Sequence, residues 1–238
     1  MKRMFLLLFA GFSLVAATAQ TADEIVNKHL EAIGGAANWK KVTSVVQTGT
    51  MSVQGAEIQV VATVLHQVGS RQDITLMGMT GYQIVTTTEG WSFMPFQGAA
   101  TPEAMTPEDV KDGQEQLDAQ GSLVDYAAKG HKVEYLGKED VDGTECHKLL
   151  LTLKSGKSQT LFVDPKTFFL VKSVNKRNVN GQEVEVSTSF SDYKKLPEGI
   201  VVPMSVTVPL GPGMDVDMQI EKVEINAKVD ASLFKPAK

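Results

Sequence analysis

The residue types that carry out chemistry are sparse on this chain and poorly spaced for it. Cys146, the only cysteine, is followed directly by His147, so a thiol and a base are chain neighbours. A nucleophile and its base must meet within hydrogen-bond reach. The pattern here predicts a strand, on which successive side chains point to opposite faces, and the pair reads as a buried thiol beside a surface imidazole. The remaining histidines are scattered: His29 beside the apolar stripe of the first predicted helix, His66 at a strand end, His131 after a loop. None belongs to an H-x-H or H-x-x-x-H pair or has a cysteine nearby, so the spacing of a zinc site is missing. Gly78-Met79-Thr80-Gly81 lacks the Lys-Ser/Thr that completes a phosphate cradle and reads as a turn. With no nucleophile, acid pair or metal set, the expectation is a binding protein and not an enzyme, without cofactor or metal.

The elements that position these residues follow from changes of hydrophobic period. Thr21-Ala22-Asp23-Glu24 has the form of a capping box. Ala22, Ile25, Val26, Leu30 and Ile33 then share one helical face until Gly34-Gly35 offers a left-handed stop. From Val42 the period becomes two. Turn signals at Gln54-Gly55, Gly69-Ser70, Gly78 to Gly81 and Glu89-Gly90 divide one antiparallel meander. Those at Asp142-Gly143, Ser155-Gly156, Asp164-Pro165, Asn180-Gly181 and Leu196 to Gly199 divide a second. Asn180-Gly181 and Asp142-Gly143 are the strongest hairpin signals, because both central residues of a type I′ turn need positive φ. The count is about eleven strands. Val184, Val186, Thr188 and Phe190, and likewise Val216, Met218 and Ile220, alternate with polar neighbours, so those strands have one covered and one wet face. Leu149-Leu150-Leu151 and Leu161-Phe162-Val163 look apolar on both faces.

Between the meanders, residues 96–130 form an insertion that turns helical at Thr106-Pro107-Glu108-Asp109, a cap followed by a first-turn proline. Val110, Leu117 and Val124 recur every seven residues and give this presumed helix a narrow apolar edge. About 35 residues is long for a connection. The segment is therefore either a lid over a cavity or a plain cover on the sheet. Within it, the seven acids of residues 102–125 (Glu103, Glu108, Asp109, Asp112, Glu115, Asp118, Asp125), set against Lys111 alone, read as a solvated face.

The first residues carry an address. Lys2 and Arg3 precede an apolar run from Phe5 to Val15 and an A-x-A site at Ala17-Thr18-Ala19, which is the form of a secretory signal peptide cleaved near Ala19. The run is short of the ~20 apolar residues a membrane span needs. Gln20 follows the cut where a lipid anchor would need cysteine, so the mature chain is expected to be soluble and periplasmic. Without the two basic residues of the signal, 21 Lys and Arg stand against 28 Asp and Glu, a balance that excludes nucleic acid and anionic membrane surfaces as partners. One cysteine makes no internal disulfide. Residues 20–238 are long enough to bury roughly 70% of their unfolded surface in a single domain without one.

Three sets of words carry a resemblance. The first is Ala22-Asp23-Glu24-Ile25-Val26 through Leu30, Gly34-Gly35 and Trp39, then Val42 to Val53 with Gly49. The second runs Ile84-Val85-Thr86-Thr87-Thr88-Glu89-Gly90-Trp91-Ser92-Phe93-Met94-Pro95-Phe96, a strand, acid-Gly turn, Trp, aromatic and Pro pattern. The third is Asp192-Tyr193, Leu196, Gly199 and Val202-Pro203. In this order, after a signal peptide, they resemble the LolA/LolB-like fold and, within it, the outer-membrane lipoprotein-sorting proteins. The resemblance implies a mainly β (α+β) fold: a single antiparallel incomplete β-barrel covered by the N-terminal helix and the helical insertion, with an apolar cavity for acyl chains. Met51, Met77, Met79, Met94 and Met105, with Trp91, Phe93 and Phe96, are the cavity candidates under it, since thioether chains repack around irregular apolar guests. One departure stands out. The family's basic-Arg-Pro-Asn turn reads Gln67-Val68-Gly69-Ser70 here, with Arg71 displaced, so no functional arginine carries over. The implied function is a periplasmic, monomeric carrier of an acyl lipid or lipoprotein; the alternative is a sensor or interaction module of the same fold with envelope protein partners.

Overall fold

The computed structural model describes residues 22–179, 182–211 and 214–236. The signal peptide, Thr21 of the capping box and the Asn180-Gly181 turn lie outside the described residues. Helix α1 (22–32) and the short α2 (Ala36–Trp39) precede β1 (Ser44–Val53), β2 (Ala56–Leu65), β3 (Gly69–Leu76), β4 (Met79–Thr86) and β5 (Gly90–Phe93). After the two-residue β6 (Glu103–Ala104) and α3 (Pro107–Gly113) come β7 (Lys132–Val141), β8 (Thr144–Thr152), β9 (Ser158–Val163), β10 (Leu170–Val179), β11 (Gln182–Lys195), β12 (Val201–Gly211) and β13 (Met214–Ile225).

The thirteen strands make one antiparallel sheet in the order β6-β5-β4-β3-β2-β1-β13-β12-β11-β10-β9-β8-β7, so β6 and β7 are its two edges and it does not close. That agrees with the expected incomplete barrel. The count exceeds eleven for two reasons: the last run is two antiparallel strands, β12 and β13, and β6 pairs with β5. Three hairpins have the type I′ signature of successive positive φ angles: Gln54-Gly55 (51°, 82°), Met77-Gly78 (52°, 78°) and Asp142-Gly143 (50°, 84°). The expected turns at Gly69-Ser70, Glu89-Gly90 and Gly78 to Gly81 each sit slightly off. Gly69, Gly90 and Met79 are already the first residues of β3, β5 and β4. The first two glycines are there for close packing, and only Gly78 of the last group is in the turn.

The described residues fall into two compact units, one of residues up to Ala36 with Ser122–Phe190, the other of Ala37–Gly121 with those from Ser191 onward. In the first unit α1 buries Ala22, Ile25, Val26, His29 and Leu30, which is i, i+3, i+4, i+7, i+8 spacing. It ends in a Schellman motif, with Gly35 N–H donating to the Leu30 carbonyl (2.7 Å) and Gly34 N–H to Glu31 (3.1 Å). Tyr126 donates its hydroxyl to Asp23, which ties the loop before β7 to the start of α1. Burial first, and then that carboxylate, push the tyrosine up to about 12.

His29 lies within the stripe and not beside it. Its Nδ1 is 2.8 Å from the carbonyl of Phe168, a residue held at φ 56° by a turn in which the Asp164 carboxylate accepts the amides of Lys166 and Thr167. Burial lowers the pKa of this histidine below the ordinary 6.5. The unfolded chain therefore takes up the proton first, and stability present above pH 6.5 is lost as pH falls below it, by up to about 1.4 kcal/mol per unit until the folded pKa is reached. His29→Asn keeps an amide N–H donor at the place of Nδ1 for the Phe168 carbonyl and removes the titration. Chemical denaturation at pH 7.5 and 5 is expected to show a smaller loss for the variant than for the wild type.

Cys146 and His147 occupy adjacent positions on β8, so their side chains lie on opposite faces. The thiol is fully buried, and desolvation raises its pKa. His147 is half-buried, not a free surface group: its ring stacks on Phe168 with centroids 6.1 Å apart and lies 5.9 Å from that of Tyr135.

In the second unit Thr106 caps α3 by accepting the Asp109 amide at 3.1 Å, as its sequence predicts. The helix stops at Gly113, followed by a 3-10 turn over Gln114–Leu117, so the seven-residue repeat is not one helix edge. Val110 and Leu117 are buried in this unit, whereas Val124 is buried in the other. A Cβ on Gly113 would lie 2.7 Å from Val85 Cγ2, which means that α3 lies flush on β4 as a cover.

Candidate ligand-binding face

Strand register sorts the side chains of the second unit onto two faces of different chemistry. Leu76 pairs with Ile58, Ile58 with Met51, Met51 with Met218 and Met218 with Val206. Paired residues share a face. These five side chains therefore form an apolar row across β3, β2, β1, β13 and β12. The next row inward on that face is Ile74, Val60, Gly49 and Ile220, and the next outward includes Ala56 opposite Val53 and Val216 opposite Val208.

At its inner end this face is a finished core. Ile220 and Met204 are buried with Val42, Ile200, Val202 and Ile225, under Trp39, Ala119 and Leu196. Gln120 holds the cover in place by donating Nε2 to the carbonyls of Lys40 (3.1 Å) and Val42 (3.3 Å). Toward the hairpin tips of β1 to β4 the cover gives out, whereas Val216, further out on β13, is buried. Leu76, Ile58, Met51, Met218 and Val206 are only half-buried, and Met79, paired with Leu76, is exposed.

Charge is absent from the apolar face of these strands. Glu57, Arg71, Asp73, Asp215, Asp217, Lys222 and Glu224 all hold positions of the opposite parity. On that second face the polar groups satisfy one another: Thr50 donates to Glu221 (3.0 Å), Gln219 to Ser205 (3.1 Å), and the hydroxyls of Thr75 and Thr80 lie 2.9 Å apart. Arg71 is committed there as well. Its guanidinium grips the Asp73 carboxylate at 2.7–3.0 Å, donates to the Leu233 carbonyl at 3.1 Å and stacks over the Tyr82 ring at 4.5 Å. The arginine displaced from the expected turn thus serves as a structural clamp.

The eight sequence candidates divide between the faces. Met51 and Met79 lie in the half-open row. Met94 and Phe96 sit over Gly81 on the same face: a Cβ on that glycine would be 2.9 and 3.0 Å from their side chains. Met105 sits over Gly90 in the same way, at 2.7 Å. Trp91 and Phe93 pair with Ile84 and Tyr82 and so face the other way, packed in the cluster of Tyr82, Ile84 and Phe234. A cleft of about 520 Å³ beside α3 is lined by Trp91 and Met105. Met77 occupies a turn and is 81% exposed. Leu76, Ile58, Met218 and Val206 are face residues that composition did not single out. Their common signal is the strand register, which is legible only once the turns are placed to the residue.

No family model and no curated protein matches the sequence. Solved structures do. A LolA superfamily protein from Nitrosomonas europaea, NE2245, superposes with a TM-score of 0.57 at 14% identity, over 92% of this chain and 97% of that one. A DUF1329 family protein from Desulfovibrio piger gives 0.57 at 12% identity, over 90% and 97%. A domain of outer membrane lipoprotein-sorting type from Vibrio parahaemolyticus gives 0.55 at 12% identity, over 91% and 97%. The chain has a LolA-like fold.

Proposed function

We propose that this chain is a periplasmic carrier that holds the acyl part of a lipid or lipoprotein on the apolar face of its second unit. In this reading residues 1–19 are a cleaved signal peptide, and residues 20–238 work as one monomeric domain that binds and does not catalyse. The observation that carries the proposal is the uncharged row from Leu76 to Val206, which continues a finished core into the open. Apolar surface left half-covered at the end of a core gains from an apolar guest. Ten methylenes at ~0.8 kcal/mol each would outweigh the ordering of a few side chains. The lipoprotein-sorting type of one structural neighbour supports the same class of ligand.

Protein purified from periplasm, extracted and analysed by mass spectrometry is expected to yield a lipid, and the stripped protein to bind a fluorescent monoacylglycerol with saturation. A stripped protein that binds no acyl probe, and that crosslinks instead to an envelope protein, would replace the carrier reading by the interaction-module reading.

A further inference from the structure

One row of the apolar face is not apolar. Ser92 pairs with Gln83, Gln83 with Gln72, Gln72 with Ala62, and Ala62 with Gln47. This row crosses β5 to β1 on the same face as Leu76 and Ile58, two residues further in than Ile74. Gln72 and Gln83 are exposed, Gln47 is half-buried, and among the described residues none of the three amides is bonded to another protein group. On an otherwise uncharged face, neighbouring strands about 4.8 Å apart thus place two amides side by side.

We infer that Gln72 and Gln83 recognise the polar linkage of the acyl ligand, and that they select an uncharged ester or amide over a free carboxylate. The inference rests on the acyl-binding reading and adds a head-group site to it. Each amide offers two N–H donors and one carbonyl acceptor. That set satisfies an ester carbonyl and the adjacent hydroxyls of a glycerol together. A carboxylate would find no cation on the surrounding strands, because all their charged side chains are on the other face, so it gains no partner that the ester lacks. Four residues separate Gln72 from Leu76, about 13 Å of strand, so a head at the glutamines lays its chain along the half-open row toward the hairpin tips. Flush packing of α3 on Val85 blocks the other direction along β4.

The test compares three ligands of one chain length at pH 8, on stripped full-length protein: a monoacylglycerol, the ionised fatty acid, and a pyrenyl alkane without a polar head. The wild type is expected to bind the monoacylglycerol about tenfold more tightly than the acid. Gln72→Leu/Gln83→Leu is expected to lose about tenfold for the monoacylglycerol and to bind the alkane as before, while Gln83→Lys reverses the order of ester and acid. Circular dichroism confirms the fold of each variant. A wild type that binds the acid as tightly as the ester, or a double leucine variant that keeps its ester affinity, overturns the glutamine assignment and leaves acyl binding standing. Failure of all three ligands to bind removes both.

Discussion

Phe234→Ala is expected to lower the unfolding free energy by about 3–5 kcal/mol, the range for deleting a buried phenylalanine. The residue lies beyond β13, outside the sheet. Here the tail is part of a core. Phe234 is buried with Tyr82 and Ile84 in the second unit. Its ring packs on β3 at Gly69, where a Cβ would be only 2.5 Å from Cγ, so the tail and the strand approach more closely than any other residue would allow. Asp230 starts the last 3-10 turn, Ala231–Phe234, by accepting the Ser232 amide at 2.8 Å, and the Arg71 guanidinium holds the Leu233 carbonyl. Urea titration with tryptophan fluorescence measures the loss. The cluster lies on the face opposite the acyl row, so the folded fraction of the variant is expected to keep its ligand affinity. A variant as stable as the wild type would mean that the tail does not belong to the core.

Ile58→Lys is expected to have the opposite signature, with little loss of stability and at least about a hundredfold loss of acyl affinity. Ile58 is an inner member of the half-open row, between Met51 and Leu76. A half-buried lysine keeps its ammonium in water by snorkelling, at small cost to the fold. With an acyl chain against it the charge must be desolvated with no partner on that face, and a penalty near 2.7 kcal/mol is a factor of one hundred. Titration with a fluorescent monoacylglycerol reads the effect directly. Glu57→Lys next in the chain places the same charge on the other face and serves as the control, with unchanged affinity expected.

Much of the fold was legible because its signals are local. Asp142-Gly143 and Gln54-Gly55 require positive φ, and Thr106-Pro107 requires a helix start; each is where it was expected. Signals that depend on packing were displaced. Gly69 and Gly90 resemble turn residues but open strands, because Phe234 rests on one and Met105 on the other. Val124 matched a helical period by coincidence and is buried in a different unit from Val110. The ligand face was legible only in part, for the same reason. Composition finds methionines and aromatics, but a face is defined by register, and a shift of one residue moves a side chain to the other side of the sheet. Trp91 and Phe93 look the same in the sequence as Met94 and Phe96, yet pairing with Ile84 and Tyr82 assigns them to the opposite face. The glutamine row was invisible by composition, since its members lie far apart in the chain until Gln47, Ala62, Gln72 and Gln83 are paired.

A sheet that does not close has two borders, and each border is a template on which another copy of the chain can add a strand. Both are blunted here. β6 is two residues long and offers almost no backbone to join. β7 is long, but its pairing slips between Tyr135 and Gly137, where the glycine adopts φ 99°, and Lys132, Glu134, Lys138, Glu139 and Asp140 crowd it with charges of both signs. An intruding strand would meet a bent ladder and a row of charged side chains. Protection against fibrous self-association is therefore built into the margins of the sheet, which leaves its interior free to stay apolar and uncovered.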